Sequence, residues 1–97
     1  MKPIRQGDVL LIPAEPIQGK NLNHLTLALG EVTGHSHRIS DGKAELIERD
    51  GTWYLRVDSP TATLTHEEHH EIKIPQGFWK VRIQREYELG RWRYVSD

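Results

Sequence analysis

Apolar and polar residues alternate with a period of two through several stretches of this chain. Leu25, Leu27 and Leu29 fall on one face, and Leu46 alternates with Glu45 and Ile47. Trp53, Leu55 and Val57 oppose Tyr54, Arg56 and Asp58, and Trp79, Val81 and Ile83 oppose Lys80, Arg82 and Gln84. Successive side chains of a strand point to opposite faces of a sheet, so this alternation predicts half-buried strands. Turn formers punctuate the chain at Pro13 to Gly19, Gly30, Gly34, Ser40-Asp41-Gly42, Asp50-Gly51, Ser59-Pro60, Pro75-Gln76-Gly77 and Gly90. The predicted strands between them are Asp8–Ile12, His24–Leu29, Gly34–Ile39, Ala44–Arg49, Thr52–Asp58, Thr61–Thr65, Ile72–Ile74, Phe78–Glu88 and Arg91–Val95. That spacing predicts an all-β fold, a single-domain barrel or sandwich over residues 1–97 with about 8–9 short antiparallel strands. Asp41-Gly42 and Asp50-Gly51 are good two-residue hairpin turns, because Gly supplies positive φ without steric cost. Ile39 to Asp58 therefore reads as a three-strand meander.

Composition narrows the chemistry. With 97 residues the chain holds one small core. It has no cysteine, which excludes disulfides, thiolate zinc sites, iron–sulfur clusters and a cysteine nucleophile. The net charge of −1 argues against nucleic-acid binding driven by bulk positive charge. No apolar run reaches the ~20 residues of a membrane span, and the start, MKPIRQGD, lacks the apolar core of a signal peptide. A soluble cytoplasmic protein with no membrane association is the expectation.

Histidine is the one excess, and five of the six histidines fall in two clusters. In Gly34-His35-Ser36-His37 the two imidazoles stand at i and i+2, on one face of a strand, where both can reach one metal ion. In His66-Glu67-Glu68-His69-His70-Glu71, candidate ligands alternate with carboxylates able to orient them. Brought together across a small barrel, His35, His37, His66 and His69 are the expected metal ligands, with His70 the substitute for either of the last two. Imidazoles without thiolate suit zinc first, and also iron, nickel or manganese. Glu67 and Glu68 are the candidate general bases. The same stretch spells H-E-x-x-H, which needs a helix to place His66 and His70 on one face; the alternating flanks Thr61 to Thr65 and Ile72 to Ile74 predict strands instead.

The first cluster resembles the opening motif of the cupin superfamily, in which Gly is followed by H-x-H and then Glu. Gly30 and His35-Ser36-His37 match its start, and Glu45 is the nearest candidate for its Glu. His66 or His69 matches the histidine that a later cupin strand supplies, and Pro75-Gln76-Gly77 resembles the cupin P-x-G turn. The resemblance implies a double-stranded β-barrel with the metal inside; it implies no particular activity.

Two further patterns carry chemistry. His24-Leu25-Thr26-Leu27 fits the H-x-T element of the 2H phosphoesterases, but that chemistry needs a second copy, which the chain lacks. The C-terminal stretch reads as a hairpin around Gly90 that gathers Arg82, Arg91 and Arg93 near Trp92 and Tyr94. Arg beside aromatic residues can hold an anionic substrate, stack on bases or contact phosphates. The leading expectation is a metal-binding protein whose open coordination position supports hydrolysis of a small anionic or phosphorylated substrate. The alternative is a non-enzymatic module that uses the Arg/aromatic hairpin for nucleic acid, a nucleotide or a protein partner. A homodimer is compatible with the short edge strands.

Overall fold

The computed structural model describes residues 1–29, 34–88 and 91–94, with side chains beyond Gln84 excepted. Along these residues the strands are β1 (Ile4–Gln6), β2 (Val9–Ala14), β3 (Lys20–Asn21), β4 (Thr26–Leu29), β5 (Ser36–Asp41), β6 (Ala44–Arg49), β7 (Thr52–His66), β8 (His69–Ile83), β9 (Arg85–Glu88) and β10 (Arg91–Tyr94). The fold is all-β, as the alternation predicts. The first eight strands form one antiparallel sheet with the order β1-β2-β8-β7-β5-β4, curled into a half-barrel. Both β5 and β6 lie along the same edge of β7, β6 beside its first half and β5 beside its second, and β3 flanks β6. Among the described residues β9 and β10 pair only with each other. No helix of the described residues is long and apolar enough to cross a membrane.

Two breaks expected from the sequence lie inside strands. Ser59-Pro60 falls within β7 and Pro75-Gln76-Gly77 within β8, and the β7–β8 ladder shifts register between Val57 and Thr61. Proline is tolerated in a sheet at such an irregularity because no ladder hydrogen bond is asked of its nitrogen there. Each long strand thus bends where the sequence suggests it would end. The residues resembling a P-x-G turn are this bend, not a connection between strands.

The predicted meander is half right. Asp50-Gly51 closes a tight hairpin between Arg49 and Thr52, with φ of 52° and 80°, both left-handed as that turn type demands. Asp41-Gly42 does not, because β5 and β6 are not paired with each other among the described residues; the turn carries the chain from one stretch of β7 to the next.

Val9, Leu11, Leu46, Leu55, Val57, Leu64, Ile74 and Trp79 fill the inner face, each large side chain there stabilising the fold by about 1.5–3 kcal/mol. The Trp79 indole N–H donates to the Pro75 carbonyl at 3.0 Å, so its polar atom is satisfied inside the core. Leu29 leaves the predicted apolar face because the β4–β5 register shifts between Thr26 and Ala28, and its side chain is exposed. Ile47 is buried although it faces away from Leu46. The chain before β3 covers it, and Gly19 allows that approach: a Cβ there would fall on the Glu48 carbonyl oxygen.

Candidate functional site

The hairpin between β7 and β8 supplies half of the histidine cluster. His66 pairs with His69, and Glu67-Glu68 is the two-residue turn between them. The H-E-x-x-H pattern therefore lies on two strands and a turn, as its flanks predict. Strand alternation separates His69 from His70: the His69 ring lies 4.8 Å from that of His66, centroid to centroid, whereas His70 is exposed.

The other half comes from the entry to β5, where Arg38 pairs with Thr65 and so sets His37 beside His66. The His37 and His66 rings are 4.3 Å apart, His35 and His66 5.5 Å, and His37 and His69 6.0 Å. His35, His37, His66 and His69, expected from sequence to converge, do so around His66.

Two members of the site were not anticipated. Gln6 ends β1, and Asp8 sits in the Gly7-Asp8 turn to β2; Gln6 is 3% exposed and Asp8 is 0% exposed. From sequence the first strand is expected to begin at Asp8 and Gln6 belongs to no predicted element, so neither residue is marked there as part of a site; the structure makes Gly7-Asp8 a turn instead. The Gln6 amide donates to the Leu64 carbonyl at 3.1 Å and to the His70 carbonyl at 3.0 Å. It thereby ties the β1 edge of the half-barrel to the β7–β8 hairpin.

These bonds fix protons. With both Gln6 N–H groups donated, its Oε1 accepts, so the His37 Nδ1 at 2.9 Å carries the donated hydrogen. The other nitrogen of His37, Nε2, faces Asp8 Oδ1 at 3.3 Å. In His66 the arrangement is reversed, because Nδ1 accepts from the Glu68 amide at 3.0 Å. For His66 to bind a metal through Nε2, its proton must move to Nδ1 and that amide bond must be given up.

The two turn carboxylates behave differently. Glu67 accepts from the Ser36 amide at 2.9 Å and from the Arg38 guanidinium at 2.8 Å. The Ser36 backbone donor first, then Glu67's own amide and Arg38, hold its carboxyl down at about 2. A carboxylate so stabilised is a weak base near neutrality, and Glu67 here clips the start of β5 to the hairpin. Glu68 is exposed, with Oε1 3.8 Å from His35 Nδ1. His35, His66 and Glu67 have ligand-type atoms within 4.8 Å of one another.

Other sequence-level candidates lie elsewhere. Glu45 is engaged by Arg56 at 2.9 Å and Asn21 at 2.7 Å, on β6, where it shares a surface cleft with His24. His24 accepts from the Thr26 amide and sets its ring edge against Trp53, a local structural arrangement. Arg82 is exposed on β8, beside a surface cleft with Trp53 and Lys80. Arg91 and Arg93 lie on β10 opposite Glu88 and Glu86, and their side chains are outside the described residues, as is Gly90. Gly30 is outside them too.

Residues 5–84 match a family described as a domain of unknown function, DUF8820. No curated protein and no solved structure matches the chain.

Proposed function

The chain belongs to the DUF8820 family, and we propose that it binds a divalent metal ion among His35, His37, His66 and His69. The observation that carries this reading is the spacing of the rings. Two imidazoles bound to one zinc through N–Zn bonds of ~2.0–2.1 Å hold their ring centroids ~4.5–5.2 Å apart for bond angles of ~90–110°. Of the three rings around His66, that of His69 at 4.8 Å lies inside this range, and those of His37 at 4.3 Å and His35 at 5.5 Å lie just outside it on either side. A small core also gains nothing from gathering imidazoles and a carboxylate out of water unless a proton or a cation pays for their desolvation. Nitrogen and oxygen donors without thiolate suit zinc, with iron, nickel and manganese as the other candidates.

Where protein ligands leave one coordination position open, a bound water becomes acidic enough, with a pKa of ~7, to serve as hydroxide. The reaction class that follows is hydrolysis of a small anionic substrate. Glu68, at the exposed rim, is better suited than Glu67 to take the water's proton.

Elemental analysis by plasma mass spectrometry, on tag-free protein purified without chelator, tests the reading. The expected result is close to one metal per chain, lost in the His35→Ala/His37→Ala double variant. Protein that carries no metal and takes up no added zinc, iron, nickel or manganese would overturn it.

A further inference from the structure

The β7–β8 ladder ends at Tyr54 and Lys80, although β7 begins at Thr52 and β8 runs on to Ile83. Beyond that pair each strand keeps its other neighbour: Thr52 and Trp53 stay paired with β6, and Val81 to Ile83 with β2. The wedge between them is a cleft of about 430 Å³, lined by Leu27, Thr52, Trp53 and the stretch from Lys80 to Ile83. Small-molecule sites span ~300–1,000 Å³ and are mostly apolar with a few polar groups. None of the clustered histidines lines this one.

Alternation divides the cleft by polarity. Trp53, Val81 and Ile83 pack against the core, with the buried Leu27 of β4 beside them, whereas Lys80 and Arg82 fall on the opposite face of β8. Lys80 is half-buried and Arg82 exposed, and neither forms an ion pair among the described residues. Standing at i and i+2, they gather two like charges about 6.5–7 Å apart along one strand. The neighbouring acid, Asp50, does not line the cleft and approaches Arg49 at 4.0 Å. The mouth is open at Gly51, where an added Cβ would meet nothing within 4 Å. The His24 ring meets the Trp53 indole edge-on, 5.5 Å between centroids, and steadies it from the other side.

We propose that this cleft binds a small anion carried on a flat apolar body, as a carboxylate or a phosphate ester. The body lies against Trp53, Val81 and Ile83, and the anionic group meets Lys80 and Arg82 at the rim. Their stems cover apolar surface while the charged heads stay in water, so an anion relieves their mutual repulsion without being buried. The inference goes beyond the metal reading and does not depend on it.

Proton–nitrogen correlation NMR tests it, with the Trp53 indole N–H, assigned by Trp53→Phe, as the reporter of the cleft. The probes are naphthoate, naphthylphosphonate and the neutral naphthamide. At least one anion is expected to move the Trp53 indole and the Thr52 and Ile83 amides, with a dissociation constant in the millimolar range or below. It should bind about three- to tenfold more tightly than the amide, the scale of two exposed charge pairs. The Lys80→Ala/Arg82→Ala double variant should lose that preference while holding naphthamide within about twofold of the wild type. The better of the two anions identifies the head group. Probe shifts that avoid the cleft, or naphthamide bound by the wild type as tightly as both anions, overturn the proposal, and neither result needs the variant to fold. Trp53 signals that follow protein concentration and ignore the probes would place a second copy of the chain there and overturn it as well.

Discussion

Asp8 and His37 meet at 3.3 Å, both wholly buried, although β8 and β7 stand between their strands in the sheet. A flat sheet would hold them ~14 Å apart at the usual spacing between neighbouring strands. The curl of the half-barrel brings the β1–β2 turn against the start of β5, and the Gln6 side chain fastens the join. The candidate site is thus a product of curvature as much as of composition.

Gln6 is the fastener, so its loss should be costly. Gln6→Leu keeps the volume but leaves the carbonyls of Leu64 and His70 without their donor and His37 Nδ1 without its acceptor. Uncompensated buried polar groups make a loss of about 2–4 kcal/mol the expectation. Urea unfolding followed by Trp fluorescence measures it. A change under about 0.5 kcal/mol would show that the amide does not secure the barrel edge.

His69 and His70 are adjacent yet unequal. His69 turns its ring into the cluster, whereas His70 presents its side chain to solvent and contributes its carbonyl to Gln6. His69→Ala should therefore weaken zinc at least about tenfold, and His70→Ala should leave it within about twofold. Equal losses in the two variants would mean that the hairpin register differs in the metal-bound protein.

Much of this was legible in the sequence, and the failures share a cause. The all-β class, the Asp50-Gly51 hairpin and the inward faces of Trp53-Leu55-Val57 and of Trp79 follow from local alternation and turn chemistry. The convergence of the two histidine clusters was expected from their co-occurrence across a small barrel, although His35 lies just before β5 and not on it. The proline breaks were misplaced because a register shift inside a long strand uses the same residues as a turn between short ones. Asp41-Gly42 was misread because a local turn signal does not say which edge the next strand takes. Asp8 and Gln6 were invisible because the first strand is expected to begin at Asp8 and none is expected over Ile4–Gln6, and only the long-range closure of β1 over the β7–β8 hairpin buries them.

Metal binding should also appear as stability. A ligand that binds only the folded chain adds ~2.7 kcal/mol at one hundred times its dissociation constant. For a domain of this size each kcal/mol raises the melting temperature by roughly 4–8 °C. Zinc at that excess should thus raise the midpoint by roughly 10–20 °C, and chelator should return it to the metal-free value. Differential scanning calorimetry with and without zinc is the check, and a midpoint indifferent to both would contradict the site.

Glu67 provides a pH test independent of any metal. Its folded-state pKa is lowered from 4.5 to about 2, first by the Ser36 amide, with its own amide and Arg38 adding to the effect. A carboxyl whose pKa is depressed on folding releases its proton more readily in the native state, so the unfolded chain binds more protons at acid pH. The stability it contributes is complete above the unfolded value of about 4.5 and is lost as pH falls toward about 2. Metal-free protein should accordingly lose stability through that window, and Glu67→Gln, which cannot ionise, should lose less over the same interval. The difference between the two urea midpoints should be greatest near pH 6 and shrink toward pH 2. Arg38→Ala should reproduce only part of the effect, because the Ser36 amide remains in place to hold the carboxylate. Parallel curves for the wild type and Glu67→Gln across the whole range would show that the clip between β5 and the hairpin does not form in solution.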